Sequence, residues 1–256
     1  MTLLAVDIRN THTFLGLLDG EEVTDHWRVS SLEGRTADEW SVLMLGLLAE
    51  RVDDVDGIAL CSTVPAVLHE WREMIARELG DVPAVIVEPG VRTGLPVLMD
   101  NPREVGADRI VNSLAAATLH GGPAIVVDFG TATTFDVVNA QGQYVGGAIS
   151  PGLEISLEAL GRRGAQLRKV ELARPRSVIA KNTVEALQSG LVFGVAAQVE
   201  GLVGRMIAEL DVAADEVTVI ATGHLAPLLV DECRCFTVHS PWLTLQGLRL
   251  VFERNS

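Results

Sequence analysis

The chain has 256 residues, 48% of them hydrophobic and 21% charged, with a formal charge of −14. That composition describes a folded globular protein, large enough for two domains or one large one, and excludes a disordered chain. So acidic a surface repels nucleic acid and anionic membrane, so any site for an anionic substrate must be built locally from backbone N–H groups, metal or selected arginines.

In chain order, the apolar run Leu3–Ile8 reads as a strand carrying Asp7. Asn10 and Thr11 follow at a turn, and a second apolar run through Leu18 ends at the turn pair Asp19-Gly20. A third strand is expected over Val23–Val29. Thr36-Ala37-Asp38-Glu39 has the form of a capping box, and Trp40, Leu43, Met44, Leu47 and Leu48 behind it share one helical face. Gly57–Cys61 is a buried strand. Ser62 or Thr63 is expected to cap a helix opened by Pro65, with Val67, Leu68, Trp71 and Ile75 inward. Ala84–Val87 reads as a strand, residues 89–105 as loop, and Gly106–Leu119 as a helix broken by Gly121-Gly122-Pro123.

A second strand–turn–strand unit occupies Ala124–Val138. Gly146–Gly152 reads as a glycine-rich turn opening a helix, and residues 161–181 as a basic, irregular stretch. A long helix spans 183–210. Its Gly190, Gly194, Gly201 and Gly204 point to a close helix–helix approach, in the domain or across a dimer, since mid-helix glycine costs about 1 kcal/mol relative to alanine. A strand over Val217–Ala221 meets Thr222-Gly223-His224, another covers Cys235–Val238, and a last helix starts at Trp242. Strands alternating with helices imply an α/β fold with parallel strands. The second half repeats the logic of the first, giving domains at 1–118 and 119–256.

The repeat is close. Asp7 aligns with Asp128, Thr13 with Thr134 and Phe14 with Phe135 without a gap. Short side chains at such a turn leave backbone N–H groups open to phosphate oxygens, and the aspartate can hold a hydrated Mg²⁺ beside them. Two such hairpins would make a nucleotide clamp, and the alternative is two ordinary hairpins left by a duplication. Cys61, Cys233 and Cys235 are odd in number, and Cys-x-Cys lacks a second pair at zinc spacing, so reduced, buried thiols and a cytoplasmic location are expected. No basic stretch precedes the first apolar run, and no apolar run approaches about 18 residues, so neither signal peptide nor membrane span is expected.

Duplicated halves that each begin with an Asp-bearing phosphate hairpin describe the actin-like and ribonuclease H-like ATPase architecture, each domain a mixed sheet flanked by helices. Within it the chain resembles the type III pantothenate kinase family over essentially its whole length. The matching residues are Asp7, Asn10 and Thr11, then Asn101-Pro102, Glu104-Val105-Gly106-Ala107-Asp108-Arg109, and Asp128-Phe129-Gly130-Thr131-Ala132-Thr133. Further matches are Gly146-Gly147, Ile149, Pro151-Gly152 and Lys181-Asn182-Thr183. The resemblance implies ATP-dependent phosphorylation of pantothenate, the first step of coenzyme A biosynthesis. It implies Asp108 as the base that orients the pantothenate hydroxyl, with Gly106, Ala107, Arg109 and Met99 at the substrate and Thr183 reaching pantothenate in a neighbouring subunit. Asp7, Asn10, Thr11, Gly130, Thr131, Ala132 and Thr133 fall to ATP and its phosphates, with Gly130 tolerating positive φ, and Asp7 and Asp128 to the metal. Mg²⁺, a monovalent cation (K⁺ or NH₄⁺) and a homodimer with its active site near the interface complete what the family implies.

Four positions depart from the family pattern. Arg9 replaces a glycine, Met99 a tyrosine, Gly164 a threonine, and His224 the second glycine of a Thr-Gly-Gly turn. If position 9 needs left-handed backbone, arginine is strained there by about 1–2 kcal/mol, and its side chain either enters the phosphate space or pairs with phosphate. His224 would put a ring where a nucleotide passes a glycine turn. The departures make two other functions conceivable: a catalytically impaired relative that binds a ligand or regulates, and a kinase for another small alcohol.

Overall fold

The computed structural model describes residues 1–163 and 170–256. They form two compact units: Met1–Leu95 with Asn101–Ala115 and Trp242–Ser256, and Pro96–Asp100 with Ala116–Pro241.

The sheet of the first unit is built from β1 (Thr2–Ile8), β2 (His12–Asp19), β3 (Glu22–Ser30), β4 (Val55–Ser62) and β5 (Ala84–Ile86), in the order β3-β2-β1-β4-β5. The first three strands form an antiparallel meander, and β4 and β5 join β1 in parallel. Helix α1 (Ala37–Leu48) starts at Thr36, where both halves of the expected capping box are present. It lays Trp40, Met44 and Leu48 into a core shared with Val67, Trp71 and Met74 of α2 (Pro65–Glu78). The Trp40 and Trp71 rings meet at 5.2 Å, an aromatic pair that helps lock the two helices together. The cap of α2 differs from the expectation. The N-cap is Val64 and makes no side-chain hydrogen bond there; instead the Ser62 hydroxyl accepts from the Val64 N–H at 3.0 Å, bending the chain into the Pro65 start. α3 (Ala107–Leu119) contributes its residues 107–115 to this unit.

The second unit repeats the plan with β6 (Ala124–Phe129), β7 (Ala132–Val138), β8 (Tyr144–Pro151), β9 (Thr218–Thr222) and β10 (Val238–His239), ordered β10-β9-β6-β7-β8. β6, β7 and β8 are antiparallel, while β9 and β10 run parallel to β6. The glycine-rich Gly146–Gly152 stretch is therefore mostly edge strand, not the turn its composition suggests. Pairing with β7 supplies the backbone hydrogen bonds, and Gly146 at φ +130° takes up the irregularity between Val137 and Val138. α4 (Leu153–Arg163) follows directly. The threonine departure at Gly164 lies outside the described residues.

α5 (Thr183–Leu210) is capped by Asn182, whose side chain accepts from the Glu185 N–H at 2.9 Å, and Thr183 is the first helical residue. By length and composition alone α5 is apolar enough to cross a bilayer, contrary to the expectation from the sequence. Its Val192, Val195, Val199 and Val203 pack into the core of the unit with Phe129, Phe135 and Val219, which accounts for the apolar run. The would-be Cβ positions of Gly190, Gly194, Gly201 and Gly204 meet nothing within 4 Å among the described residues beyond their own helix, so these glycines serve no close approach to any other described element. The chain then returns to the first unit as α6 (Leu243–Glu253), which packs on β1, β2, β4 and β5. Phe252 lies on Gly57 of β4 so closely that a Cβ there would sit 2.3 Å from the ring.

The two hairpins do not correspond residue for residue. β1–β2 pairs Asp7 with Phe14 and Ile8 with Thr13, leaving Arg9–His12 between the last pairs; β6–β7 pairs Asp128 with Thr134 and Phe129 with Thr133, leaving Gly130–Ala132. With the aspartates matched, Thr13 corresponds to Thr133, not to Thr134 as the gap-free alignment has it. Burial agrees: Thr13, Leu15, Thr133 and Phe135 are buried, Phe14 and Thr134 only half so. A slip of one residue would turn every side chain to the other face, so the core fixes the register and confines the extra residue to the first turn.

Candidate active site

In the first unit, β1 delivers Asp7 to the end of the sheet, where it is 2% exposed. A carboxylate so buried must be paired or bonded, and both of its oxygens are. Arg9 Nε donates to Oδ2 at 2.5 Å, and the Cys61 thiol on β4 donates to Oδ1 at 3.4 Å. Arg9 is not strained: among described non-glycine residues only Ala49 and Asp211 have positive φ. Its side chain folds back along the sheet end instead of over the turn, reaching Thr244 Oγ1 at 3.0 Å and passing 5.8 Å from the Phe14 ring centroid. Asn10 and Thr11 are exposed at the hairpin tip. There the Thr11 carbonyl accepts from the Ser31 N–H at 3.0 Å, tying the tip to the end of β3.

Asp108 and Arg109 open α3, half-buried, with the positive helix end behind them. A Cβ on Gly106 would lie 2.6 Å from Asp108 Oδ1, so glycine leaves room for that carboxylate to fold back over the helix start. Asn101, at the head of the preceding turn, donates through Nδ2 to Glu104 at 2.7 Å. Burial first, then the charges of Asp7 and Asp108, push the Cys61 thiol well above its ordinary range. Cys61 is thus a proton donor and no nucleophile. Asp7 and Asp108 come from different elements of one unit and bear on the same buried sulfur.

In the second unit Asp128 is the penultimate residue of β6, 3% exposed, before the turn Gly130-Thr131. The Gly130 N–H donates to the Ala132 carbonyl at 3.1 Å, and Gly130 does not use the positive φ anticipated for it. A Cβ on Gly152 would stand 2.3 Å from the Thr131 carbonyl oxygen, so the start of α4 presses directly on the hairpin turn. Gly223, at φ +91°, lies against Asp128, where a Cβ would be 2.4 Å from Oδ1. That first glycine after Thr222 is obligatory, and the second is not: His224 adopts ordinary backbone and turns its ring toward Glu154, Nε2 to Oε1 at 3.7 Å. Thr133 is fully buried, Thr131 and Ala132 partly so. Met99 belongs to this unit, its sulfur 3.6 Å from where a Gly146 Cβ would be. Thr183 is exposed on α5.

The structure thus gathers Asp7, Gly106, Ala107, Asp108 and Arg109 in the first unit, and Asp128, Gly130, Thr131, Ala132 and Thr133 in the second. Sequence reasoning missed the groups that support them. Thr244 and Asn112 in the first unit are buried polar groups joined by contacts, as are Asp136 and its donor Tyr144 (3.0 Å) in the second, where the half-buried Thr134 also donates to Asp136 (3.2 Å). A threonine or an asparagine on an apolar helix face is a faint signal, and Thr244 is 235 residues from Arg9.

The family model for type III pantothenate kinase matches residues 3–205. A type III pantothenate kinase of a Nocardioides species is 72% identical over the whole of both chains, and one of Streptomyces avermitilis is 64% identical over 99% of this chain and 98% of its own. Among solved structures, the activator of 2-hydroxyisocaproyl-CoA dehydratase from Clostridium difficile with bound ADPNP is similar, with a TM-score of 0.56 at 12% identity over 99% of this chain and 96% of that one. The ROK family glucokinase of Streptomyces griseus, in complex with glucose and AMPPNP, gives 0.54 at 12% identity over 97% and 98%. These two show the shared fold of two mixed sheets flanked by helices, that of the actin-like ATPases. By its match to the family model and its full-length relatives, the chain belongs to the type III pantothenate kinase family.

Proposed function

We propose that the chain transfers the terminal phosphoryl group of ATP to the primary hydroxyl of pantothenate, the opening step of coenzyme A biosynthesis, with Asp108 orienting the hydroxyl. The observation that carries this reading is that Asp7 and Asp108, the carboxylates assigned to the phosphate and alcohol ends of the reaction, lie in a single unit, Asp7 buried and hydrogen-bonded on both oxygens at the end of the sheet and Asp108 presented at the start of α3. Phosphoryl transfer needs mainly positioning and charge neutralisation, and a weak base suffices when the alcohol loses its proton late. Gly106 and Ala107 shape the turn that presents Asp108, and Arg109 offers a guanidinium to the acid end of pantothenate. Asn10 and Thr11 in one hairpin, and Gly130, Thr131, Ala132 and Thr133 in the other, supply N–H and hydroxyl donors for phosphate oxygens. Met99 contributes an apolar contact in place of the family's phenol.

The donor set for Mg²⁺ fits unevenly. Both Asp7 oxygens already accept hydrogen bonds, one from a guanidinium, so Asp7 suits a hydrated ion held through water. Asp128, a hard carboxylate beside the phosphate turn, suits direct ligation. When bound, the ion would neutralise phosphate charge. K⁺ or NH₄⁺ enters from the family, as does a homodimer through which Thr183 serves a neighbouring pantothenate. The dimer is supported by the bare glycine face of α5 and by the exposed Val178, Ile179 and Val184 beside its start. Three free thiols suit a reducing cytoplasm.

The test is ADP release measured with pantothenate, Mg²⁺ and K⁺. Asp108→Asn is expected to lower kcat by about 10²–10⁴-fold. Undiminished turnover in that variant, or a preference for another alcohol, would overturn the proposal.

A further inference from the structure

We propose that Arg9, Thr244 and Asn112 form a positioning strap that fixes Asp7 relative to the Asp108-bearing start of α3, an inference that rests on the catalytic roles given above to those two carboxylates. The strap is a continuous chain of polar contacts within the first unit. Arg9 Nε donates to Asp7 Oδ2 at 2.5 Å, Arg9 Nη2 donates to Thr244 Oγ1 at 3.0 Å, and the Thr244 hydroxyl donates to Asn112 Oδ1 at 2.7 Å. Thr244 therefore uses its one hydroxyl as acceptor on one side and donor on the other, which fixes the direction of the whole relay. Asn112 lies one helical turn beyond Asp108 on the same side of α3.

Burial makes the arrangement strict. Asp7, Thr244 and Asn112 are 2%, 6% and 1% exposed, and the Arg9 side chain 13%. Charges withdrawn this far from water hold their geometry, because any other rotamer leaves a buried charge unpaired. The helices that carry the two ends are themselves in backbone contact: a Cβ on Gly247 of α6 would lie 2.4 Å from the Val111 carbonyl oxygen of α3. Gly247 is one turn from Thr244, and Val111 adjoins Asn112. Asp7 is thus held on one oxygen by a cation anchored through α6 to α3, and on the other by the Cys61 thiol of β4. The arginine that departs from the family's glycine supplies the central link. Buried ion pairs add little net stability compared with apolar packing, so a role in geometry is the one that would justify it.

Displacement of a reacting group by about 1 Å costs about 10²-fold in rate, which sets the scale of the test. Full-length enzyme is assayed for kcat and for KM toward ATP and pantothenate, with thermal melts alongside. Arg9→Gly and Thr244→Val are each expected to lower kcat by about ten- to hundredfold, with both KM values within about twofold of the parent. Thr244→Ser, which keeps the hydroxyl, is expected to retain parental kcat. Arg9→Gly combined with Thr244→Val is expected to be no slower than the worse single variant, because both cut the same strap. The proposal is overturned if Arg9→Gly keeps parental kcat, if the two losses multiply, or if Thr244→Ser is as slow as Thr244→Val. Should Thr244→Val fail to fold, the kcat of Arg9→Gly, at a position the family fills with glycine, decides alone. Loss of kcat in Asp108→Asn but not in Arg9→Gly would leave the carboxylate roles standing and remove the strap.

Discussion

At the scale of single residues, close approach matters more here than backbone freedom. Gly106 has ordinary φ, but a methyl group there would meet Asp108 Oδ1 at 2.6 Å. The carboxylate is the flexible partner, so Gly106→Ala is expected to fold with a near-parental melting temperature and to lose about tenfold or more in kcat as Asp108 swings away. Parental kcat in a folded Gly106→Ala enzyme would show that Asp108 does not need its place over the helix start. The motif Gly106-Ala107-Asp108-Arg109 was legible in the sequence, whereas the physical reason for its glycine was not, since nothing in the spelling says that the next aspartate folds back. Arg9 shows the reverse. Its strangeness was legible and its partners were not, because Thr244 is brought to it only by tertiary packing.

Two thiols give a pH prediction of the same scale. Burial, the largest cause in both, pushes Cys233 up to about 12 and Cys235 to about 11, from an ordinary 9.0. Between about pH 9 and about pH 11 the unfolded chain has released these protons and the folded chain retains them, so stability is full below that window and falls as the pH rises through it. Denaturant melts at both edges of the window are expected to show a larger loss in the parent than in Cys233→Ala/Cys235→Ala. Equal losses would assign the alkaline decline to other groups.

Among elements, the outcome divides by how local the determining signal is. The start of α1 was legible to the residue because the capping box at Thr36 and the apolar spacing behind it act within a few turns. β8 was not, because glycine reports freedom and says nothing about a neighbouring strand in need of a partner. The one-residue difference between the hairpins was hidden by a coincidence of spelling, Thr-Phe at both sites, and only the buried faces of Leu15 and Phe135 resolve it. α6 carries the clearest energetic prediction of this kind. Phe252 is 2% exposed and fills the space above Gly57, so Phe252→Ala is expected to cost about 3–5 kcal/mol, as buried aromatic truncations do. Urea melts measure it, and a loss below about 1 kcal/mol would mean that β4 and α6 collapse onto the gap.

For the molecule as a whole, the glycines of α5 are the test of assembly. They cost helix stability, and among the described residues, the helix's own backbone aside, nothing comes within 4 Å of the Cβ each one lacks. If a second copy lies against them, Gly194→Trp is expected to yield monomers by light scattering while the melting transition stays cooperative. A parental mass in that variant would remove the glycine face from the interface. The same helix shows what composition could and could not give: its span was legible, but which side faces the core depended on the register of Val192, Val195 and Val199.

The order in which the first unit is threaded has a consequence for biosynthesis. Its sheet is complete by Ile86, yet the helix that seals β1 and β4 begins only at Leu243, after the entire second unit. A ribosome therefore releases some 150 residues while that surface of the sheet, and the Arg9 guanidinium destined for Thr244, lie open to solvent. Joining ends so distant is entropically slow, and a half-sealed sheet leaves apolar surface exposed in the meantime. A helix made after the second unit finishes the half that was made first, so the supporting contacts of Asp7 are set only after that unit has been made.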